Sequence, residues 1–298
     1  MKKLLTILIM VLLLCACSGG NGGKQENVTK VNKVGVMEFV PEEGYTAVEY
    51  FSEQTKDGSI IEKDVVFTKE SGATVGYAVM TNQILAEITD LSQFESFEVN
   101  GDTYYMYTSG SKKIALCQKG NDIYAVQLDL EESNELHTEN EMQDLAATVT
   151  YTDSFDKTTV STDLFGIEYA VDESLPLAST AITVDQDAKG NVTEKTIYWK
   201  YGQDTNNLDF RLAIFVYKNK TLDDVLYTDS TYLDENINGV DYKVLDNGGE
   251  HPYSYYTQHG NDVYQIRNAG VSSGWFGTTR SEESFTALDN LLNSISFK

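Results

Sequence analysis

Histidine, cysteine, proline and basic residues are all scarce in this chain. Three histidines (His137, His251 and His259) and three cysteines stand among 298 residues. No Cys or His pair lies at zinc-ligand spacing. His137 precedes a helix-cap signal and reads as a solvated loop residue; His251 and His259 flank PYSYYTQ on an expected hairpin. The stretch Asp185-Gln186-Asp187-Ala188-Lys189-Gly190 opens like a calcium loop. Lys189 and Thr196 then stand where positions five and twelve need oxygen ligands, so a hairpin turn is expected and no metal. There is no Gly-x-Ser-x-Gly elbow and no glycine-rich phosphate loop, and no cofactor is expected. Only 22 basic residues face 46 acidic ones, for a net charge of −24. That balance excludes nucleic acid as a partner and leaves no polybasic patch for an anionic membrane surface. Three prolines are too few for a linker-like chain, whereas 19 Tyr, 12 Phe and 2 Trp supply the area for a packed core.

No apolar run reaches the ~20 residues of a membrane span. The longest begins the chain: Lys2 and Lys3 precede Leu4 to Leu14, the pattern of a secretory signal. Leu14-Cys15-Ala16-Cys17 resembles a bacterial lipobox. The resemblance implies cleavage after Ala16 and a diacylglyceryl group on Cys17, and two acyl chains suffice for stable anchoring. The expected location is the outer face of the bacterial cytoplasmic membrane, with the N-terminal lipid as the contact to the membrane. Loss of residues 1–16 leaves 20 basic against 46 acidic residues, a charge of −26. Residues 17–33 (CSGGNGGKQENVTKVNK) read as a flexible tether. Cys117 is then the one remaining thiol, in the strand-like run KKIALCQKG, and reads as a small buried residue.

The rest is written twice. GNDIYAVQ from Gly120 returns as GNDVYQIR from Gly260. Asn100-Gly101-Asp102-Thr103-Tyr104 returns as Asn238-Gly239-Val240-Asp241-Tyr242, and the turn at Gly58 returns at Gly190. The offsets are 132, 138 and 140 residues in chain order, the mark of a tandem duplication with small insertions. The copies are placed at 34–151 and 160–298. In each, strands around the Gly58 or Gly190 turn lead to a short helix with apolar spacing (Ile84, Leu85, Ile88, Leu91; Leu222, Val225, Leu226). Strands return around Asn-Gly and Gly-Asn-Asp hairpins. A helix closes each copy, signalled by Thr138-Glu139-Asn140-Glu141 and by Ser281. The fold class read from this is α+β: two similar domains, each a mostly antiparallel sheet with two helices packed on one face. NGxxY, GNDxYxV and a closing apolar helix resemble domains of unknown function in Gram-positive lipoproteins and in extracytoplasmic regions of some anti-sigma and sporulation proteins. The resemblance implies an extracellular, non-enzymatic module and transfers no catalytic residue.

The function read from the sequence is a lipid-anchored binding or interaction module without catalysis. The alternatives are a carrier of an apolar or lipid-like ligand and a hydrolase with an unrecognised site. Tyr124 to Tyr151 spans 27 positions and Tyr264 to Phe297 spans 33, so the second copy carries six extra residues, near AGVSSGWFGTTR. Trp275 and Phe276 sit there between glycines. With Tyr253, Tyr255 and Tyr256 they are the candidates for an aromatic platform that takes a protein, peptide or glycan.

Overall fold

A computed structural model describes residues 33–298 except 134, 137, 139, 173–174, 203–209, 247, 249–250 and 273–277. Residues 1–32, with Cys17 and all of the expected tether but Lys33, which begins β1, lie outside it, as do Trp275 and Phe276.

The first half runs β1 (Lys33–Phe39), β2 (Thr46–Thr55), β3 (Ile60–Thr68), β4 (Thr74–Met80), α1 (Leu85–Ile88), β5 (Glu95–Val99), β6 (Asp102–Ser109), β7 (Lys112–Lys119), β8 (Asp122–Asp129), α2 (Glu141–Ala147) and β9 (Val149–Asp156). The second runs β10 (Ile167–Glu168), β11 (Leu177–Gln186), β12 (Val192–Tyr201), β13 (Phe210–Tyr217), α3 (Leu222–Val225), β14 (Tyr232–Ile237), β15 (Val240–Leu245), β16 (Ser254–His259), β17 (Asp262–Asn268), β18 (Val271–Ser272), β19 (Thr278–Thr279), α4 (Glu282–Ser294) and β20 (Ser296–Phe297).

The expected α+β fold, with two helices on one face of each of two sheets, is corrected here. The protein is mostly β, and one antiparallel sheet of 14 strands runs through both halves. Its order is β14-β15-β16-β17-β13-β12-β11-β2-β3-β4-β8-β7-β6-β5, so each half follows the same order outward from the central β2–β11 pair. That pair runs in register from Ser179↔Thr55 to Asp185↔Glu49. The reason is a backbone one. β2 and β11 each begin a sheet and would otherwise leave an unpaired row of N–H and C=O groups; pairing the two edges satisfies both. The helices are also shorter than expected. α1 and α3 are single turns of four residues each. α1 does not share a face with α2, because Leu85 packs with Met80, Ile114, Leu116 and Ile123 on the opposite side of the sheet.

Period-2 alternation builds the main core on the face that α2 and α4 cover. In the first half Tyr50, Val65, Phe67, Val75, Tyr77 and Tyr124 meet Met142 and Ala146 of α2. The β1–β9 ribbon adds Phe39, whose ring stacks on Tyr77 at 3.8 Å. In the second half Ile197, Trp199, Leu212 and Ile214 meet Leu288, Leu291 and Leu292 of α4.

The recurring motifs occupy matching places. Asn100 and Asn238 take positive φ of 55° and 50°. Their side-chain amides donate to Ala147 O and Asn293 O, carbonyls at the C-terminal ends of α2 and α4. Asp122 and Asp262 do more than shape their own Gly-Asn-Asp turns: each accepts, at 3.0 Å, the N–H of a positive-φ asparagine after a neighbouring strand, Asn82 and Asn219. The Asp185–Gly190 stretch is a hairpin turn. Asp187 accepts the N–H groups of Lys189 and Asn191, as the hairpin expectation requires.

Candidate functional site

The sheet face opposite α2 and α4 is where the polar chemistry gathers. Strand register sets three parallel rows across the β2–β11 seam. One row is Glu194–Asp185–Glu49–Val66, the next Thr196–Thr183–Phe51–Asp64, and the third Tyr198–Ala181–Glu53–Glu62. Six acids from four adjacent strands therefore share one patch. Glu49, Glu53 and Asp64 are only 6%, 7% and 6% exposed although they lie on the face opposite the two longer helices. Burial among neighbouring side chains is what desolvates the patch.

Desolvation dominates the electrostatics. It lifts the Glu49 carboxyl to about 7, against a partial lowering by Lys112. Glu62 rises to about 7 by burial and the nearby Glu53 charge, with Lys200 opposing. Asp185 rises to about 8 by burial, Glu49 and Glu194. Asp64 is pushed well up by burial, Glu49 and Glu62, and Glu194 is raised by burial. Glu53 is the tethered member: Lys200 Nζ lies 2.6 Å from Oε2, and Ser179 Oγ donates to Oε1 at 2.6 Å. Both partners come from the second half, so this cluster fastens the seam. Toward β17 the face turns aromatic. Tyr198 and Phe215 meet edge to face at 5.6 Å, and Tyr217 donates to Gln265 Oε1 at 3.0 Å. Gln265 in turn donates to Ser254 Oγ and Tyr256 OH.

Three polar atoms on this patch have no hydrogen-bond partner among the described residues: Glu62 Oε1, Asp64 Oδ1 and Thr183 Oγ1. Native interiors rarely leave buried polar atoms unpaired. A cavity of about 40 Å³ opens beside two of them, lined by Glu62, Asp64, Gly76, Ala78, Met80 and Ala125 among others. A second, of about 230 Å³, lies on the helix side near Tyr45, Lys69, Tyr77 and Leu145.

Of the residues singled out from the sequence, Trp275 and Phe276 lie outside the described residues, Tyr253 and Tyr255 lie away from the acids, and Tyr256 joins the aromatic end of this face through Gln265. Tyr253 is half-buried, with the Arg280 guanidinium 3.9 Å over its ring. Tyr255 and Tyr256 are adjacent on β16, so they point to opposite faces and share no surface. Tyr255 is 5% exposed against Tyr242, and Tyr256 is 1% exposed beneath Gln265. His251 lies near Glu282 and Phe285, and His259 stacks on Phe297. Among the described residues no group of three His, Cys, Asp or Glu is placed to hold a metal ion. Cys117 is 2% exposed, and burial pushes its thiol up, away from reactive thiolate character. The acid patch was not singled out from the sequence, because 46 acids give many chance pairs. A signal was present: Glu62 and Asp64, two apart in an expected strand, fall on one face.

No family model matches the chain, and no curated protein matches it. A solved structure described as MucB in complex with MucA(peri) aligns at 9% identity, covering 85% of this chain and 93% of that one. The TM-score of 0.15 draws no fold likeness between them. Among the described residues no helix is long and apolar enough to cross a membrane.

Proposed function

We propose that this protein is a lipid-anchored extracytoplasmic binding module, built by duplication of one domain and without catalytic activity. Its ligand is an extended peptide or protein segment with cationic side chains, laid across the sheet face opposite α2 and α4. One observation carries this reading: carboxyls and half-buried aromatic rings share a single face, and some of its buried acceptors have no hydrogen-bond partner among the described residues. Aromatic faces and carboxylates together recognise cations. The hydrolase alternative also draws on buried acids. The cavity beside them, about 40 Å³, is far below the ~300 Å³ of ordinary ligand pockets and admits no sugar ring. A lipid chain does not fit there either, so this face gives the carrier alternative no site.

The test is calorimetric titration at 0.15 M salt with two capped octapeptides, one alternating Lys with Gly and one alternating Glu with Gly. The Lys peptide binds and the Glu peptide does not. Phe215→Ala and Tyr198→Ala weaken binding several-fold while leaving the fold intact. Equal binding of both peptides, or no binding of either, overturns the reading.

The anchor is tested separately. Cys17→Ser abolishes fatty-acid labelling and releases the protein or leaves its leader uncut. Equal labelling of variant and wild type refutes the anchor.

A further inference from the structure

We propose that the cavity beside Asp64 and Glu62 is a binding slot for a primary alkylammonium group, the end of a lysine side chain. This deepens the binding-module reading and rests on it. The cavity volume, about 40 Å³, is room for roughly three water-sized groups, which matches the terminal methylenes and nitrogen of lysine. Its walls fit both parts of that group. Gly76, Ala78, Ala125, Met80 and Ile114 offer small or apolar surface to the methylenes. Asp64 Oδ1 and Glu62 Oε1 are acceptors without a partner among the described residues, and Asp64 is 6% exposed. An ammonium brings three donors on a compact head. Two can meet the Asp64 and Glu62 carboxyls, and the amide oxygen of Gln127, also on the lining, can take the third. A guanidinium is planar and wider, so the slot selects lysine over arginine. Small residues are what open the slot. β4 carries Gly76 and Ala78 opposite Val66 and Asp64 of β3, so no large β4 side chain stands across from them.

Charge balance sets the pH dependence. The groups that face the slot or act on its acids are Glu49, Glu53, Glu62, Asp64, Asp185 and Glu194, with Lys112 and Lys200 as cations. Burial holds Glu62 and Asp64 protonated more strongly than usual, so an incoming ammonium must displace a proton. Binding therefore strengthens as pH rises from 5 to 8.

The probe is N-acetyl-lysine methylamide, with the norleucine and arginine analogues as controls, titrated into the mature full-length chain. The methyl NMR signals of Ala78, Met80 and Ala125 report on the slot. The lysine compound shifts these signals saturably; the norleucine compound does not, and the arginine compound binds at least tenfold more weakly. Asp64→Asn weakens lysine binding at least tenfold. Gly76→Ala, whose added methyl meets only ordinary contacts at 3.5 Å and beyond, weakens it as well without removing a charge. That variant keeps the test decisive even where Asp64→Asn misfolds. Equal shifts from lysine and norleucine, no saturable shift of these methyls, or unchanged affinity in Gly76→Ala overturns the slot. If the Lys octapeptide still binds while the slot methyls stay silent, the slot fails and the binding face stands. If neither binds, both fail.

Discussion

Acidification from pH 8 to pH 5 raises the melting temperature of this protein. The acids at the sheet seam hold their protons more tightly folded than unfolded: Glu49 and Glu62 near 7 and Asp185 near 8, against about 4 in an unfolded chain. For groups shifted upward the folded state is favoured at low pH. That stability is fully present below about pH 4 and is lost as pH rises through 7 and 8. A rise of about 2.5 pH units for Glu49 corresponds to roughly 3 kcal/mol, and the patch as a whole to several. At about 2–4 °C per kcal/mol for a chain of this size, the shift is on the order of 10 °C. Asp156 and Asp187 work the other way. Burial raises their carboxyls, but Lys63 and Thr158 at Asp156 and the hydrogen bonds from Asn191 and Lys189 at Asp187 outweigh it and hold both low, so their contribution falls only near and below pH 4. The window from 5 to 8 therefore belongs to the seam acids. The measurement is a melting series at constant ionic strength. In Glu49→Gln/Asp185→Asn the curve flattens and stability at pH 8 exceeds wild type. A melting temperature that is flat or falls on acidification sinks the account.

Trp199→Ala is the substitution with the largest expected cost. The ring is 3% exposed in the core between β12 and α4 and meets Tyr169 edge to face at 5.1 Å. Its strand is paired on both sides, with Thr180 and Leu212 as cross-strand neighbours, so the backbone cannot close over the gap. Removing a packed tryptophan costs about 3–5 kcal/mol, or about 10 °C in melting temperature. Urea unfolding measures it: the midpoint falls and the slope stays constant. A loss below about 1 kcal/mol would mean that the second-half core is not packed as described.

Much of this was legible in the chain. Ile197, Trp199 and Tyr201 alternate in sequence, and all three are buried in the second-half core. The Asn-Gly and Gly-Asn-Asp signals mark hairpins, because positive φ at Asn100, Asn238, Gly120 and Gly260 is a local requirement that residue type reveals. Ser281 caps α4 as its position suggests, accepting the Ser284 N–H. The helical spacing at Ile84 and Leu222 yields only one turn each time, since Asp90 caps a new turn at Ser92 and Leu226 returns to extended backbone.

The sequence by itself determined the secondary-structure alphabet of this protein: strand periodicity, turn chemistry, helix caps and the order in which both halves spell them. Those are properties of near neighbours, carried by side chains at fixed spacing. Only the tertiary structure decided that β2 and β11 join two sheets into one, because edge pairing is made by backbone groups that every residue carries. It also decided which of the 46 acids matter. Glu49, Glu62, Asp64, Asp185 and Glu194 differ from solvated surface carboxylates only in lying where the assembled sheet withdraws water, and desolvation is a property of the assembled surface.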